Sequence, residues 1–592
     1  IDGVIENTTN VYTSGTLTNK NVTLNSTVNP VTTVSGYSYQ WYNLFTLRCY
    51  RMKKELSELL FPNITKDINY YLEMYPRRDV SDKAIITRFA PSPTGFIHIG
   101  SLYTAFICNQ FAKETNGVYF LRIEDTDQKR KIDNGINLML NDLKKFNIDF
   151  DEGPDIGGIY GPYIQSERRE IYQTFAKDLI SKGLAYPCFM SEEEIKEIRE
   201  KQSDNKERIG IYGKYAKDRD LSYDEVKKRI DNGMPYIIRL RSTGDESKRI
   251  AYHDLIKGNI EFPENDMDIV LIKSDGLPTY HFAHVIDDYL MGTTHVIRGE
   301  EWLSSVPVHL ELFKVLNFKT PKYGHLSPLT KKDGNSVRKL SKRYDKECAM
   351  KYYEELGIPS EALSIYFATL INANFEPWYM QNKDSRVEDY KFEFSKMKSG
   401  GTLFDLEKLK SICKLYFSRK TAESLYDEVL EYTKSYDKEF YDILLNDREY
   451  AIKVFNIERN KAKPRKDIAA YSDVRKETSY MFNDLFMYDR DMDYSKYDRE
   501  VLVDYINNIY DINDSHDEWY DKLSDYAYSV GYVKSSKEYN LDSTNYKGHI
   551  GTFCEMLRVA LTGRLQTPDL YEIMAVLGID EIKSRLNKFM NI

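Results

Sequence analysis

The stretch "RFAPSPTGFIHIG", residues 88–100, joins a predicted strand to a predicted helix. The preceding run "AIIT" is β-branched, and in the following "SLYTAFICNQFAKE" apolar residues recur at helical spacing. A strand that ends in a glycine-bearing loop and opens a helix is a phosphate site, because the helix N-terminus offers free N–H groups and partial positive charge. Alone, such a Pro/Gly/Ser loop is more often just a turn.

Three residues of this loop carry the possible chemistry. Gly95 and Gly100 would let a base or a phosphate approach the backbone closely. His98 lies between them and could donate a hydrogen bond to a phosphate.

A basic loop further along the chain is the second candidate element. "RKLSKR" (338–343) places Lys339 and Lys342 three residues apart, next to the Gly/Asp/Asn-containing "TKKDGNS". Two ammonium groups there could close on a triphosphate and stabilise the charge that grows in the transition state. The alternative is a solvated basic loop.

Acidic residues end the next predicted strand. "RIEDTD" (122–127) places Glu124 where open α/β sheets bind ligands, so its carboxylate could hold an ammonium group. The alternative is a salt-bridged rim of the sheet.

Alternating strands and helices predict a parallel sheet. After "VYFLRIED" (118–125), the further predicted strands are "DIVLIKSDG" (268–276) and "THVIRGEEW" (294–302). Residues 126–267 are far more than one crossover needs, which predicts an inserted domain. Beyond about residue 400 the pattern is almost entirely helical.

Composition limits the partners of this 592-residue chain. Its net charge is -9, so a nucleic acid would need a local basic surface. No apolar run reaches the roughly 18 residues of a membrane span. Its six cysteines are scattered without a C-x-x-C pair, which argues against zinc or disulfides and favours a reducing compartment.

The N-terminal segment has a different composition. Between Asn7 and Lys54 there is no Asp or Glu, and Ser, Thr and Asn dominate. That composition predicts an organelle-targeting segment, for a mitochondrion in preference to a plastid. The alternative is a polar extension that carries no targeting signal, in which case we expect the protein in the cytoplasm. Since the chain begins at Ile1 and its first Met is Met52, we expect the sequence to be incomplete.

The order P-x-P-T-G-x-x-H-x-G, I-E-D-T-D and K-L-S-K-R resembles the class I aminoacyl-tRNA synthetases, and among them the glutamyl-tRNA synthetases of bacterial and organellar type. "HIGS" (98–101) looks like their HIGH element with its last position replaced, and "KLSKR" looks like their KMSKS element. Longer matches are "DEGPDIGGIYGPYIQSER" (151–168), "KSDGLPTYHFAHVIDDYLMGTTHVIRGEEW" (273–302) and "LRVALTGRLQTPDLYEIMAVLG" (557–578). The resemblance covers about residues 84–592.

The resemblance implies a two-step reaction. Glutamate and ATP would give glutamyl-adenylate and pyrophosphate, and tRNA(Glu) would then accept the glutamyl group. Mg²⁺ would bridge the phosphates of ATP. We expect the protein to be a monomer. We expect no zinc, because only Cys188 lies in the inserted region and one thiol cannot make a four-ligand site. Whether tRNA(Gln) is also charged stays open.

The resemblance also assigns a glutamate pocket. Arg88 and Arg298 would pair with the substrate carboxylates, since a planar fork suits a carboxylate. Glu124 would take the α-ammonium group, and Ser92 and Tyr280 would complete the pocket.

For ATP, the resemblance implies one set of ligands and three catalytic side chains. The ligands would be Gly95, His98, Gly100, Trp302, Lys339 and Lys342, and the catalytic side chains would be His98, Lys339 and Lys342. His284 stands where many relatives carry Asn, so its role stays open between substrate binding and packing.

The helical C-terminal region would read the anticodon. "NKAKPRKD" (460–467) is its best basic candidate, with Arg465 as a possible base reader. The alternative is a solvated charge cluster.

The implied architecture is a Rossmann-type α/β catalytic domain with an insertion, followed by helical domains. The expected segments are an extension (1–82), the first catalytic half (83–165), the acceptor-binding insertion (166–267), the second catalytic half (268–325), a stem-contact domain with the KLSKR loop (326–412) and an anticodon-binding region (413–592). Two competing hypotheses are a synthetase-like RNA-binding protein without chemistry and a glutaminyl-tRNA synthetase. The all-helical C-terminus favours the glutamyl branch over the latter.

Overall fold

The structure, a computed structural model, describes residues 8–13, 16–23, 51–93, 96–128 and 134–592. The chain divides into two compact units. The first comprises Ile1–Leu329 with Asp384–Thr402, and the second comprises Thr330–Lys383 with Leu403–Ile592.

A parallel sheet forms the centre of the first unit. Strand Ile86–Phe89 pairs in parallel with Val118–Leu121, and His295–Gly299 pairs in parallel with Lys322–Leu326. The two pairs meet where the N–H of Thr294 donates to the first residue of strand Ile86–Phe89 at 2.9 Å. The predicted α/β class with a parallel sheet is confirmed.

The opening loop leads from this sheet into helix Ile99–Glu114, which lies against it with most of its length buried. The chain then returns through Gly117 into strand Val118–Leu121. A Cβ at Gly117 would lie 1.9 Å from the carbonyl oxygen of Ile85, so only glycine fits this return. The strand, loop, helix and strand predicted from residues 84–121 are therefore all present.

The predicted strand within 268–276 has a different neighbour from the one expected. It forms as Val270–Ile272 but pairs antiparallel with Ile237–Leu240, which also pairs antiparallel with Ala185–Cys188. Its apolar run predicts a strand but does not specify which segment it pairs with. It therefore closes the sheet of the inserted region instead of continuing the parallel sheet.

Residues 51–82, which were assigned to the N-terminal extension, pack on the first unit. Leu60, Phe61 and Tyr71 are buried in its main apolar core. The guanidinium of Arg78 donates to both carboxylate oxygens of Glu152 at 2.7 and 2.8 Å. This part of the extension is consequently integral to the fold, and the rest of the expected targeting segment lies largely outside the described residues.

A buried ion pair ties the start of helix Arg169–Lys182 to the helix Tyr280–Leu290. Arg168 Nε donates to Asp287 Oδ1 at 2.8 Å, and both side chains are fully buried. Gln165 and Tyr172 also donate to Asp287, at 2.9 and 2.7 Å. A buried carboxylate held in this way depends on its cation, because water cannot replace it.

Arg168→Met is therefore expected to lower the free energy of unfolding by about 3 kcal/mol, since Asp287 would accept hydrogen bonds from neutral donors only and keep one more distant cation, Arg122 Nε at 3.9 Å. Urea unfolding of both proteins would measure this change. The control is Arg169→Met at the exposed neighbouring position, which should change stability by less than about 0.5 kcal/mol. Equal stability of the two variants would contradict the expectation.

The described helical segments of eight residues or more in the first unit are residues 51–60, Ile99–Glu114, Gly135–Lys145, Arg169–Lys182, Glu192–Asp204, Tyr223–Asp231, Tyr280–Leu290 and Val306–Val315. Its further strands are the antiparallel pairs Thr8–Thr13 with Thr16–Thr23, and Arg249–Asp254 with Gly258–Pro263.

The second unit is nearly all helical, as predicted for the region beyond about residue 400. Its helices of eight residues or more are Ser360–Ile371, Leu406–Ser418, Ala422–Tyr436, Lys438–Asn446, Arg448–Asn456, Tyr471–Thr478, Arg499–Asn508, His516–Ser529, Ile550–Thr562 and Leu570–Met590. Strands Leu329–Asp333 and Ser336–Lys339 form a hairpin at its beginning.

Candidate active site

The loop at residues 88–100 ends in a capped helix start. His98 is the N-cap of helix Ile99–Glu114, and its Nδ1 accepts the N–H of Ser101 at 3.2 Å. Its Nε2 lies 2.9 Å from Ser101 Oγ. A Cβ at Gly100 would lie 3.2 Å from two atoms of the His98 ring, so this glycine makes room for the imidazole.

The structure gives less information about the other two predicted residues at the middle of this loop, Ser92 and Gly95. Ser92 is exposed, and Gly95 lies outside the described residues. The backbone N–H of Glu124 donates to the carbonyl of Pro91 at 2.9 Å. This bond brings the loop and the end of the second strand together.

Arg88 and Arg122 share one buried carboxylate. Arg88 Nε donates to Asp288 Oδ1 at 3.1 Å, and Arg122 Nη1 donates to the same oxygen at 2.7 Å. Although burial opposes ionisation, Arg122 and Arg88 hold the pKa of Asp288 well below its usual range. No hydrogen-bond partner among the described residues engages Nη1 or Nη2 of Arg88, which leaves that fork for a ligand carboxylate.

Glu124 faces the same cluster. Its Oε1 accepts from Arg122 Nη2 at 3.0 Å, so the alternative of a salt-bridged carboxylate holds for one of its two oxygens. Burial raises its pKa, and the neighbouring Arg122 and Arg88 oppose that rise. Its other oxygen has no described partner and is the one that an ammonium group would use.

Arg298 is a buried cation among neutral groups. It is 6% exposed and lies in strand His295–Gly299. Its Nε donates to His325 at 3.1 Å and its Nη1 to Tyr280 Oη at 3.1 Å. Its Nη2 donates to the carbonyl of Trp302 at 3.2 Å and lies 3.4 Å from His309 Nδ1. No carboxylate of the described residues lies within 4.0 Å of it.

These contacts leave Arg298 one N–H for a ligand. A guanidinium has five N–H donors, and the four contacts above occupy four of them. The free donor is on Nη1, next to Tyr280, whose hydroxyl accepts from Arg298 and so can direct its own proton outward. The expected two-donor fork is therefore a composite of one arginine N–H and one tyrosine O–H.

Aromatic rings form one wall of this site. The rings of Tyr280 and Trp302 have centroids 4.3 Å apart, and Trp302 keeps 37% of its surface exposed. Burial raises the pKa of Tyr280, and Arg298, Glu124 and Arg88 all act on it electrostatically. The predicted glutamate-site residues Arg88, Glu124, Tyr280 and Arg298 are thus brought together.

His284 is fully buried beneath Tyr280. Its Nδ1 lies 2.9 Å from Asp288 Oδ2, and its Nε2 lies 2.9 Å from Tyr323 Oη. Its ring stacks on Tyr280 with centroids 5.7 Å apart. Of the two roles left open for this position, the structure favours packing beneath the site.

Two histidines, the buried His284 and the half-buried His281, make stability depend on pH. Burial lowers the pKa of His281 to about 4 and that of His284 to about 3. The unfolded chain binds these protons near pH 6.5 and the folded chain does not, so the contribution to stability is full above pH 6.5. It is lost as the pH falls from about 6.5 to 4 for His281 and to 3 for His284.

Between pH 7.5 and 5.5 each of these histidines is expected to remove about 1 kcal/mol of unfolding free energy. Urea unfolding at the two pH values would measure the loss. His281→Gln should reduce it, whereas the control His253→Gln at an exposed position should not. An unaltered loss in His281→Gln would contradict a neutral His281 imidazole in the folded protein.

The predicted basic loop lies in the second unit. Arg338 donates to both oxygens of Asp345 at 2.6 and 2.8 Å, and the N–H of Ser341 donates to Asp345 at 2.8 Å. These bonds fold the loop around one carboxylate. Lys339 and Lys342 are exposed and form no ion pair with a described residue. Their charges are free for a polyanion.

Arg465 does not have the exposure expected of a base reader. Its side chain is 7% exposed and its guanidinium is held by both oxygens of Asp467. The sequence pattern placed four cations together but could not show which of them an adjacent acid would sequester. Lys463 and Lys466 are the exposed cations of this segment that form no ion pair with a described residue.

In the described part of the chain, no group of three or more His, Cys, Asp or Glu side chains could hold a metal ion. None of the described helices combines the length and apolarity needed to cross a bilayer.

Sequence reasoning missed three side chains that shape the site. Asp288 holds Arg88 and Arg122, and His325 and His309 contact Arg298. The adjacent acids in "HVIDDYL", inside an otherwise apolar helix, were a signal for Asp288. For the two histidines no local pattern exists.

Known proteins match this chain over most of its length. Residues 84–398 match the family "tRNA synthetases class I (E and Q), catalytic domain", and residues 540–590 match "Anticodon binding domain". A glutamate–tRNA ligase of Clostridium perfringens strain SM101 is 45% identical over 91% of this chain and 99% of its own length. The glutamate–tRNA ligase of Sorangium cellulosum is 38% identical over 88% and 97%.

Solved structures agree with this assignment. A glutamate–tRNA ligase of Elizabethkingia meningosepticum, solved in complex with its amino acid, has a TM-score of 0.69 and 27% identity over 86% of this chain and 99% of its own. The parallel sheet, the helical C-terminal region and the two family matches lead to one conclusion. This chain belongs to the class I tRNA synthetases of the glutamate and glutamine branch.

Proposed function

We propose that this chain is a glutamate–tRNA ligase that charges tRNA(Glu) with L-glutamate. The observation that carries the proposal is Arg298, a buried guanidinium with neutral neighbours and one free N–H beside the Tyr280 hydroxyl. A glutamate carboxylate supplies the charge that this arginine lacks. Glutamine would present a neutral amide and leave the buried guanidinium without a direct charge partner.

The remaining glutamate contacts follow from the same geometry. The free fork of Arg88 suits the second carboxylate, and the unengaged oxygen of Glu124 suits the ammonium group. Because Asp288 holds Arg88 from one side, the fork is oriented before the substrate arrives. Pre-orientation of this kind reduces the entropy lost on binding.

The reaction then proceeds in two substitutions. A carboxylate oxygen of glutamate attacks the α-phosphorus of ATP, and pyrophosphate leaves. A terminal ribose hydroxyl of the tRNA attacks the carbonyl carbon of the adenylate, and AMP leaves. Positioning and charge stabilisation suffice for both steps, so no covalent enzyme intermediate is needed.

On the ATP side we assign His98 and the two exposed lysines to phosphate contacts. The start of helix Ile99–Glu114 offers N–H groups and partial positive charge beside His98. Lys339 and Lys342 would neutralise charge that develops on the phosphates. Trp302, whose ring packs at a tilt against Tyr280, would border the adenylate.

Charging assays with glutamate and glutamine, each on purified tRNA(Glu) and tRNA(Gln), test the proposal. Glutamate is expected to be transferred to tRNA(Glu), and glutamine to neither tRNA. Charging with glutamine at a comparable rate would contradict it, and tight tRNA binding without any charging would favour the RNA-binding alternative. The same assay decides whether tRNA(Gln) is accepted as well.

Two finer expectations remain proposals. The monomeric state can be measured by sedimentation. The organelle address rests on the composition of residues 1–82, and the bacterial relatives described above do not support it. A reporter fused to residues 1–50 would test it, and a cytosolic reporter would refute it.

A further inference from the structure

Two buried side chains extend the contacts of Arg298 away from the glutamate site. Arg298 and His325 are register partners on neighbouring parallel strands. Arg298 Nε donates to His325 Nε2 at 3.1 Å, and His325 Nδ1 lies 2.6 Å from Asp254 Oδ2. His325 and Asp254 are both 0% exposed. Together the three residues form a continuous hydrogen-bonded row, which we call the Arg298 relay.

The relay requires one tautomer of the imidazole. Because Nε2 accepts from Arg298, which can only donate, the proton of a neutral His325 lies on Nδ1. From Nδ1 it is donated to Asp254. Burial lowers the pKa of His325, which keeps the ring neutral. The carboxylate thus acts on Arg298 through a neutral ring without occupying the side of the guanidinium that faces Tyr280.

Asp254 is itself held firmly. Its Oδ1 accepts three backbone N–H groups, from Ile256 at 3.0 Å, Lys257 at 2.8 Å and His325 at 3.2 Å. It ends strand Arg249–Asp254 of the hairpin in the inserted region. Since all three donors use one oxygen, the other has a single position, facing His325.

The turn of the same hairpin is anchored beside the site. Lys257 Nζ donates to Ser327 Oγ at 2.7 Å and to the carbonyl of Ser399 at 2.6 Å, and it pairs with Glu300. Glu300 begins the short helix Glu300–Ser305, which contains Trp302. The inserted hairpin therefore contacts the surroundings of Arg298 at two points, through Asp254 at His325 and through Lys257 at Glu300.

We propose that Asp254 and His325 are positioning residues for glutamate, which orient Arg298 so that its one free N–H stays directed at the substrate carboxylate. This inference rests on the proposed function. Neither residue touches the substrate: each acts through the arginine. If the guanidinium rotated and exchanged one hydrogen-bond partner for another, the free N–H would no longer point at the substrate carboxylate. Misplacement of a positioning group in this way can lower catalytic efficiency by roughly 100-fold.

Asp254→Asn is the sharpest test, because the structure forces its outcome. The three backbone donors would keep the amide oxygen at the Oδ1 position, so the amide nitrogen would face His325 Nδ1. The imidazole would then carry its proton on Nε2, against the N–H of Arg298. Two donors would oppose each other, and the guanidinium would be displaced.

The expected result is a KM for glutamate raised about 10- to 100-fold, with the KM for ATP changed less than about 2-fold. Both would be measured by tRNA-dependent ATP–pyrophosphate exchange, with thermal melting as a check on folding. His325→Gln should stay within about 3-fold of the parent, because its amide can accept from Arg298 and donate to Asp254. His325→Leu, which can do neither, should resemble Asp254→Asn.

His295→Gln is the matched control, since His295 lies on the same strand as Arg298 and is half-buried. Its KM for glutamate should not change. A glutamate KM unchanged in both Asp254→Asn and His325→Leu would overturn the inference, as would equal effects on the KM values for glutamate and ATP. If the parent protein activates no glutamate, the proposed function fails first and the inference fails with it. If the parent protein is active and the variants Asp254→Asn and His325→Leu are unaffected, the inference is refuted while the proposed function stands.

Discussion

Arg298→Lys is expected to lower kcat/KM for glutamate by about 10²- to 10³-fold, mainly through KM. Lysine keeps the charge, but a single ammonium nitrogen cannot reach His325, Tyr280 and the carbonyl of Trp302 at once. At least one buried acceptor would lose its partner, and the donor beside the Tyr280 hydroxyl would be lost. Truncating a buried charge pair typically costs about 2–5 kcal/mol, or about 30- to 5,000-fold, and the expected loss lies within this range.

Glutamate-dependent exchange at varied glutamate concentration would measure the effect. Arg169→Lys, at an exposed position of the same unit, is the control and should leave both constants unchanged. A glutamate KM within about 2-fold of the parent in Arg298→Lys would remove this arginine from the carboxylate site. If glutamine became a comparable substrate of this variant, that would support its role in discrimination.

Lys342→Ala is expected to lower kcat of ATP–pyrophosphate exchange by about 10²- to 10³-fold, the usual result of removing one group that stabilises transition-state charge. The KM for glutamate should change little. Because Lys342 is exposed and forms no ion pair with a described residue, its removal should not alter thermal stability. A loss of activity would therefore report on the reaction and not on folding.

Lys351→Ala is the control for this variant. Lys351 is an exposed lysine of the same unit whose ammonium group pairs with Glu355 at 3.4 Å. Such a surface pair contributes little to stability, so the control should behave like the parent. Exchange activity in Lys342→Ala equal to that of the control would refute a role for the basic loop in the reaction.

The sequence alone determined the class of fold and the family. Strand, loop and helix at residues 84–114 follow from local spacing, and so does the helical character of the C-terminal region. The motifs at residues 88–100, 122–127 and 338–343 indicated where the site lies and predicted which side chains belong to it. These features are readable because each depends on residues that are close in the chain.

Only the tertiary structure decided what those side chains contact. The strand Val270–Ile272 was predicted, yet its antiparallel partner comes from the inserted region. Arg465 belongs to a basic run, yet Asp467 sequesters it. Arg298 was expected to offer a fork, yet contacts with His325, Tyr280, His309 and the carbonyl of Trp302 leave it one free donor. Pairing across such distances leaves no periodic trace in the chain, because burial and hydrogen bonding are satisfied by whichever groups the fold brings together.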